Sequence, residues 1–184
     1  VDLKKACGSI AFDPLKKSLI KGKALEGNIW DAYKEVLNAG KELEGFRVIA
    51  VNPVYFNNAG AFIYEELGYA MAWGNDIIAN LTEQGLDACE VAGDIKFNFG
   101  VSGNYFMEMA KFRAARLLWA TIVKEYTEHT CAQKIKVHAS TSEWNKTIYD
   151  AYVNLLRTQT ESMAARLGGV ESLTVLPFDI LFTE

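Results

Sequence analysis

Short β-type runs alternate with long helical ones along this chain, and that order predicts an α/β fold, a parallel sheet covered by helices. Two observations carry the prediction. Five strand-like runs are separated by segments long enough for crossover helices. Between them, apolar residues recur at three- and four-residue steps, the period of a helix with one buried face. A doubly wound sheet and a (β/α)8 barrel both fit this order, and periodicity alone does not separate them. The composition of the strands adds a third observation. Parallel strands buried on both faces read as continuous apolar runs, yet two of these strands keep one polar face. A polar interior suits a barrel with a wet bore, unlike the packed centre of an ordinary one.

The first candidate strand is Ser9–Phe12, followed by a helix near Asn28–Ala39. Arg47–Val51 is the second strand. The helix after it, near Ala61–Gln84, has the clearest stripe: Ile63, Leu67, Ala70, Met71, Ile77, Ile78 and Leu81. In the third strand, Ile95–Val101, an apolar set of Ile95, Phe97, Phe99 and Val101 opposes Lys96, Asn98 and Gly100. The helix over Tyr105–Tyr126 opens at Asn104, a good N-cap, and its stripe reads Met107, Ala110, Ala114, Leu118, Ile122. The fourth strand, Ile135–Thr141, sets Ile135, Val137 and Ala139 against Lys136, His138 and Ser140. The helix at Lys146–Leu167 stops at Gly168 and Gly169, as helices often do at glycine. Ser172–Leu176 is the fifth strand. This register directs Lys96, Asn98, Lys136, His138 and Ser140 into the bore.

Composition excludes several classes. A length of 184 residues suits one sizeable domain, and no repeat or linker divides it. A net charge of -4 argues against a nucleic-acid surface, which needs a clustered basic excess. No apolar run approaches the roughly 20 residues of a membrane span. The start has no apolar signal-peptide core, and Val1 in place of methionine reads as a processed or cut end. Cys7, Cys89 and Cys131 are odd in number, far apart and without a CxxC pair. They read as reduced thiols, in keeping with a cytoplasmic protein.

Individual motifs are weak alone. Gly100-Val-Ser-Gly103 has the wrong spacing for a dinucleotide fingerprint, and no P-loop or nucleophile elbow occurs. His129 and His138 lack nearby metal-ligand partners. The tract Lys111–Trp119 could pass for a basic recognition helix, but without a basic excess elsewhere it reads as structural. His138 lies near the C-terminal end of its strand, where barrels place their chemistry; a lone imidazole there reads as an interior histidine satisfied by its neighbours.

Longer segments carry a resemblance. HASTSEW (His138 to Trp144), the helix that follows it and the stretch Asn104–Trp119 are similar to the acyl-CoA-binding barrel of the methylmalonyl-CoA mutase family, whose catalytic chains read HSQTSGW. The resemblance covers nearly the whole chain. It implies that residues 1–184 are part of one partial (β/α)8 barrel of the TIM type, about five strands and four long helices. The family's C-terminal cobalamin-binding domain would lie outside it, since its aspartate-x-histidine-x-x-glycine signature is absent here.

The resemblance also implies a degenerate site. Ala59-Gly60-Ala61 aligns with the family's strand-end motif. That places Val54 where catalytic chains have a tyrosine against the corrin, and Tyr55 where they have a histidine on the thioester carbonyl. Gly8–Asp13 is similar to GTIQND, so the threonine becomes Ser9 and the substrate-contacting glutamine Ala11. The arginine that clamps the substrate carboxylate falls on Lys21, which keeps charge but loses the bidentate fork. The arginine and serine at the coenzyme A end fall on Asp94 and Lys96. His138 keeps the family's histidine near the substrate, while the glutamine two residues on is Ser140.

These departures imply a non-catalytic small subunit of a heterodimeric isomerase. A large catalytic partner would bind adenosylcobalamin and interconvert (R)-methylmalonyl-CoA and succinyl-CoA through radicals. No cofactor or metal is expected on this chain, and self-association of the isolated piece is expected. Two other readings stand beside it: an active mutase for a related acyl-CoA, with Tyr55 and His138 in new roles, and a barrel enzyme whose polar bore takes a phosphorylated metabolite.

Overall fold

The computed structural model describes residues 7–25, 27–41, 43 and 45–182. Five parallel strands form one sheet: β1 (Cys7–Phe12), β2 (Gly45–Val51), β3 (Ile95–Val101), β4 (Lys136–Thr141) and β5 (Ser172–Thr174). Their spatial order is β1-β2-β3-β4-β5, the same as their order in the chain. Each crossover therefore steps to the next position and never turns back. A doubly wound sheet must reverse its order at a switch point, so the connectivity is that of a (β/α)-barrel segment. Among the described residues no helix is long and apolar enough to cross a membrane.

Seven helices connect the strands among the described residues: α1 (Lys16–Lys21), α2 (Ile29–Gly40), α3 (Val54–Asn58), α4 (Ile63–Glu83), α5 (Ala88–Asp94), α6 (Tyr105–Lys124) and α7 (Ala151–Leu167). Of the four long ones, α2, α4 and α6 lie close to where periodicity puts them. Nothing in the sequence marks the short helices α1, α3 and α5, because one or two turns display no apolar period. Helix α7 also begins later than Lys146. Asp150 caps it by accepting from Tyr152 N at 3.0 Å, and residues 146–149 form a loop held by side chains rather than a first turn.

By contacts the chain divides into two compact units. The first takes the chain through Val51, with Ala72–Lys96 and Trp119–Ile135. Tyr33 and Leu37 of α2, the run Val48–Val51 of β2, and Ile77, Ile78 and Leu81 of α4 are buried in it. Strands β1 and β2 pair in parallel, with Ser9 opposite Arg47. The second unit takes Asn52–Met71, Phe97–Leu118 and the chain from Lys136 onward. Its core holds Phe97, Phe99, Phe112, Ala115, Val137, Ala139, Ala164 and Ala165.

Helix α6 corrects the expected stripe. Met107 is 49% and Leu118 42% exposed, whereas Glu108, Lys111, Phe112, Ala115, Trp119 and Val123 are buried. The inward face is rotated by one position because two of its members are charged. A period reading assigns charge to the surface, but here an ion pair lies inside.

The strand faces follow the expected register. Phe99 packs edge-on against Phe112 of α6, with ring centroids 6.1 Å apart, so the Phe97 and Phe99 face of β3 meets helices. Lys96 and Asn98 alternate with them onto the opposite, less buried face. In β4, Val137 and Ala139 are buried, and Lys136, His138 and Ser140 take the other face.

Candidate functional site

The sequence places some of its candidates on the strands and others on the short helices beside them. In the first unit, β1 and β3 bring two of them together: Lys96 Nζ donates to Ser9 Oγ at 2.8 Å. Partial burial pulls the Lys96 ammonium below its ordinary pKa. Ala11 also lies on β1 and is exposed; Lys21 is the exposed last residue of α1. Asp94 ends α5, immediately before β3. Burial pushes its carboxyl up, the Arg47 guanidinium pulls it down, and the net direction is up. Asp94 lines a cavity of about 340 Å³ together with Arg47 and Lys41.

In the second unit, β4 and β5 pair in parallel with His138 opposite Ser172 and Ser140 opposite Thr174. The His138 ring lies between two hydroxyls: Nδ1 is 2.8 Å from Ser172 Oγ and Nε2 is 3.1 Å from Thr174 Oγ1. His138 is the third residue of the six in β4, so it lies in mid-strand and not near the C-terminal end, where sequence reading put it. Asn98 Nδ2 donates to Asn52 Oδ1 at 2.6 Å. Val54 and Tyr55 open α3, just after β2, and both are half-buried. The placement at a strand's C-terminal end is that of barrel chemistry, but valine has no group that can donate, accept or carry a proton.

The second unit also holds a charged cluster that the motifs of the sequence do not single out. Lys111 Nζ lies 2.6 Å from Glu66 Oε2 and 2.6 Å from Glu108 Oε2, and all three side chains are fully buried. The same ammonium donates to the Gly100 carbonyl at 2.8 Å. Glu66 Oε1 accepts from Gly100 N at 2.7 Å, and Oε2 accepts from Asn57 Nδ2 at 3.2 Å. Glu108 Oε1 accepts from the Ser102 amide at 2.9 Å and its hydroxyl at 2.6 Å. The cluster thus anchors the end of β3 to α3, α4 and α6. A Cβ at Gly100 would stand 2.3 Å from Asn57 Cγ, so this close approach requires glycine. A legible signal existed: Glu66, Glu108 and Lys111 each fall within an apolar helical face.

A second buried pair, Lys146 with Glu161 at 2.7 Å, ties the loop after β4 to α7. Asn145 Nδ2 also donates to Glu161 at 2.6 Å. Both charged clusters are internal supports. Among the described residues no group of three His, Cys, Asp or Glu side chains could hold a metal ion.

The chain matches the family model of methylmalonyl-CoA mutase over residues 1–183. It is 50% identical to the methylmalonyl-CoA mutase small subunit of Porphyromonas gingivalis over 186 aligned residues, covering 100% of this chain and 30% of that protein. Identity to the Streptomyces virginiae small subunit is 32%, over 94% of this chain and 28% of the relative. The large subunit from the same organism is 35% identical over 72% of this chain and 18% of its own length. The chain thus spans less than a third of each of these curated relatives. A single family model covering almost every residue, on barrel-type connectivity, places the chain in the methylmalonyl-CoA mutase family.

Proposed function

We propose that this chain is part of the non-catalytic small subunit of a heterodimeric, adenosylcobalamin-dependent methylmalonyl-CoA mutase. In this reading a large subunit carries out the radical interconversion of (R)-methylmalonyl-CoA and succinyl-CoA in the cytoplasm, and this chain stabilises it. The observation that carries the reading is the pair Val54–Tyr55 at the start of α3, directly after β2. The family's catalytic chains need a phenol and an imidazole at these positions. Valine supplies neither ring nor hydroxyl. A phenol can donate a hydrogen bond, but it differs from an imidazole in size and reach and, with an ordinary pKa of about 10 against about 6.5, does not exchange a proton readily at neutral pH.

Other residues agree. Asp94 presents a carboxyl where a phosphate-bearing ligand calls for a guanidinium, and its elevated pKa does not make it a cation. Both ring nitrogens of His138 already face hydroxyls, so this imidazole is a poor fit as a cobalt ligand. His129 stands in the segment before β4. The reading places adenosylcobalamin on the partner. The match of the whole of this chain to 30% of a relative named as a small subunit supports the same assignment.

The test is a mutase assay with adenosylcobalamin and methylmalonyl-CoA, following both product and the cobalamin spectrum. The unmodified chain should give neither turnover nor spectral change. Val54→Tyr with Tyr55→His should still give negligible turnover, because Ala11, Lys21, Asp94 and Ser140 remain unsuited to substrate. Turnover by the unmodified chain alone would instead identify an active acyl-CoA mutase barrel. Native mass spectrometry with a large mutase subunit should show a one-to-one complex.

A further inference from the structure

Two of the three cysteines, distant in the chain, meet in the first unit. Cys89 and Cys131 both line the cavity of about 340 Å³ that also holds Leu37, Lys41, Arg47 and Asp94. Each thiol lies close enough to bear on the other, Cys131 being among the groups that push the Cys89 thiol up, and neither is in a disulfide. The backbone on each side is fixed. Asp87 caps α5 by accepting from Glu90 N at 3.2 Å, which holds Cys89 in the first turn. Cys131 lies in a turn closed by Ala132 N to His129 O at 3.1 Å and Lys134 N to Cys131 O at 3.3 Å. The neighbouring Ala132 is buried and anchors that turn.

The two thiols differ in access. Cys131 is exposed, while Cys89 is partly covered. Burial, then Cys131 itself, Asp87 and Glu90 all push the Cys89 thiol up, so it stays protonated where Cys131 is reached first. We infer that Cys89 and Cys131 form a dithiol site that closes to an intramolecular disulfide when a small hydroperoxide or disulfide oxidant enters the cavity. With a hydroperoxide, the Cys131 sulfur attacks the O–O bond, becomes a sulfenic acid and releases the alcohol or water. The Cys89 sulfur then attacks the Cys131 sulfur, the S–O bond breaks, and the hydroxyl leaves with the Cys89 proton as a second water. Two thiols lose two electrons and two protons in all, and the peroxide accepts them. The bridge would tie the start of α5, the helix that leads into β3, to the turn that precedes β4.

The full chain, reduced and freed of reductant, is exposed to equimolar hydrogen peroxide or to oxidised glutathione. Remaining thiols are then alkylated, and the digest is analysed by mass spectrometry. The expected product is a Cys89–Cys131 linked peptide, reversed by dithiothreitol. It should form about tenfold or more ahead of any linkage to Cys7, given the millimolar effective concentration of a tethered thiol. In Cys89→Ser the same peroxide should leave Cys131 as a sulfenic acid that dimedone traps. Oxidation of Cys131 in the unmodified chain without the linked peptide, or preferential bridging through Cys7, would overturn the inference.

Discussion

At Lys111 one ammonium is shared between two carboxylates, Glu66 and Glu108, with all three side chains out of water. Burial pushes the Glu66 carboxyl up even though Lys111 pulls it down. For Lys111, burial lowers the ammonium, but Glu66 and Glu108 more than offset this and the net direction is up. The signs fix the pH behaviour. A raised carboxyl contributes most below its ordinary pKa and loses that contribution as pH climbs through the folded value. A raised ammonium keeps its contribution up to the ordinary lysine pKa and loses it above. Lys111→Met removes the only cation of the trio and strands two buried carboxylates, at a cost of about 3–5 kcal/mol. Urea midpoints should drop most near neutral pH and recover partly toward the acid range, where the carboxyls take up protons. A uniform loss at every pH would mean that Lys111 acts through packing alone. The polar strand face could be read from alternation, because Lys96 and His138 sit between large apolar residues. The Glu66–Lys111–Glu108 cluster leaves only a partial trace: its charges fall inside apolar helical faces, but nothing in the chain pairs them until the helices dock.

Elements were legible in proportion to their length. Helix α4 displays several turns of apolar period, and of its expected stripe Ala70, Met71, Ile77, Ile78 and Leu81 are buried while Ile63 and Leu67 are half-buried. α1, α3 and α5 are too short to show one. The start of α7 was misplaced for a different reason. Residues 146–149 are compatible with helix by composition, but tertiary bonds draw them away. Lys146 reaches Glu161 at 2.7 Å, and Asn154 Oδ1 accepts from Thr147 N at 3.0 Å, leaving Asp150 as the cap. Asp150→Ala should therefore cost about 1 kcal/mol, the usual worth of an N-cap, seen as a lower unfolding midpoint. Thr147→Ala, outside the helix, should leave the helix content read by circular dichroism unchanged. A larger effect at Thr147 than at Asp150 would return the helix start to Lys146.

For the whole molecule, alternating order established the α/β class, and the resemblance carried by His138–Trp144 and Asn104–Trp119 supplied the family, which periodicity could not. The same scale exposes two kinds of unsatisfied surface. Among the described residues the sheet ends at β1 and β5, and edge strands offer open hydrogen-bonding groups to other chains. β5 is only three residues long, which limits what it can pair. Helix α7 presents the larger apolar surface: Tyr152 is 74% and Leu156 67% exposed, and Met163 and Leu167 continue the line at helical spacing. Contiguous exposed apolar residues of this kind mark contact surfaces. The isolated chain should therefore self-associate at micromolar concentration, with sedimentation velocity showing species larger than the monomer. If α7 is the seat, Leu156→Lys with Met163→Lys should shift the population to monomer, while Ile10→Lys on the β1 edge should change it little. The reverse pattern would assign association to strand pairing. A strictly monomeric chain with a cooperative melt would show that neither surface needs a partner, and the argument for a contact on α7 would fail with it.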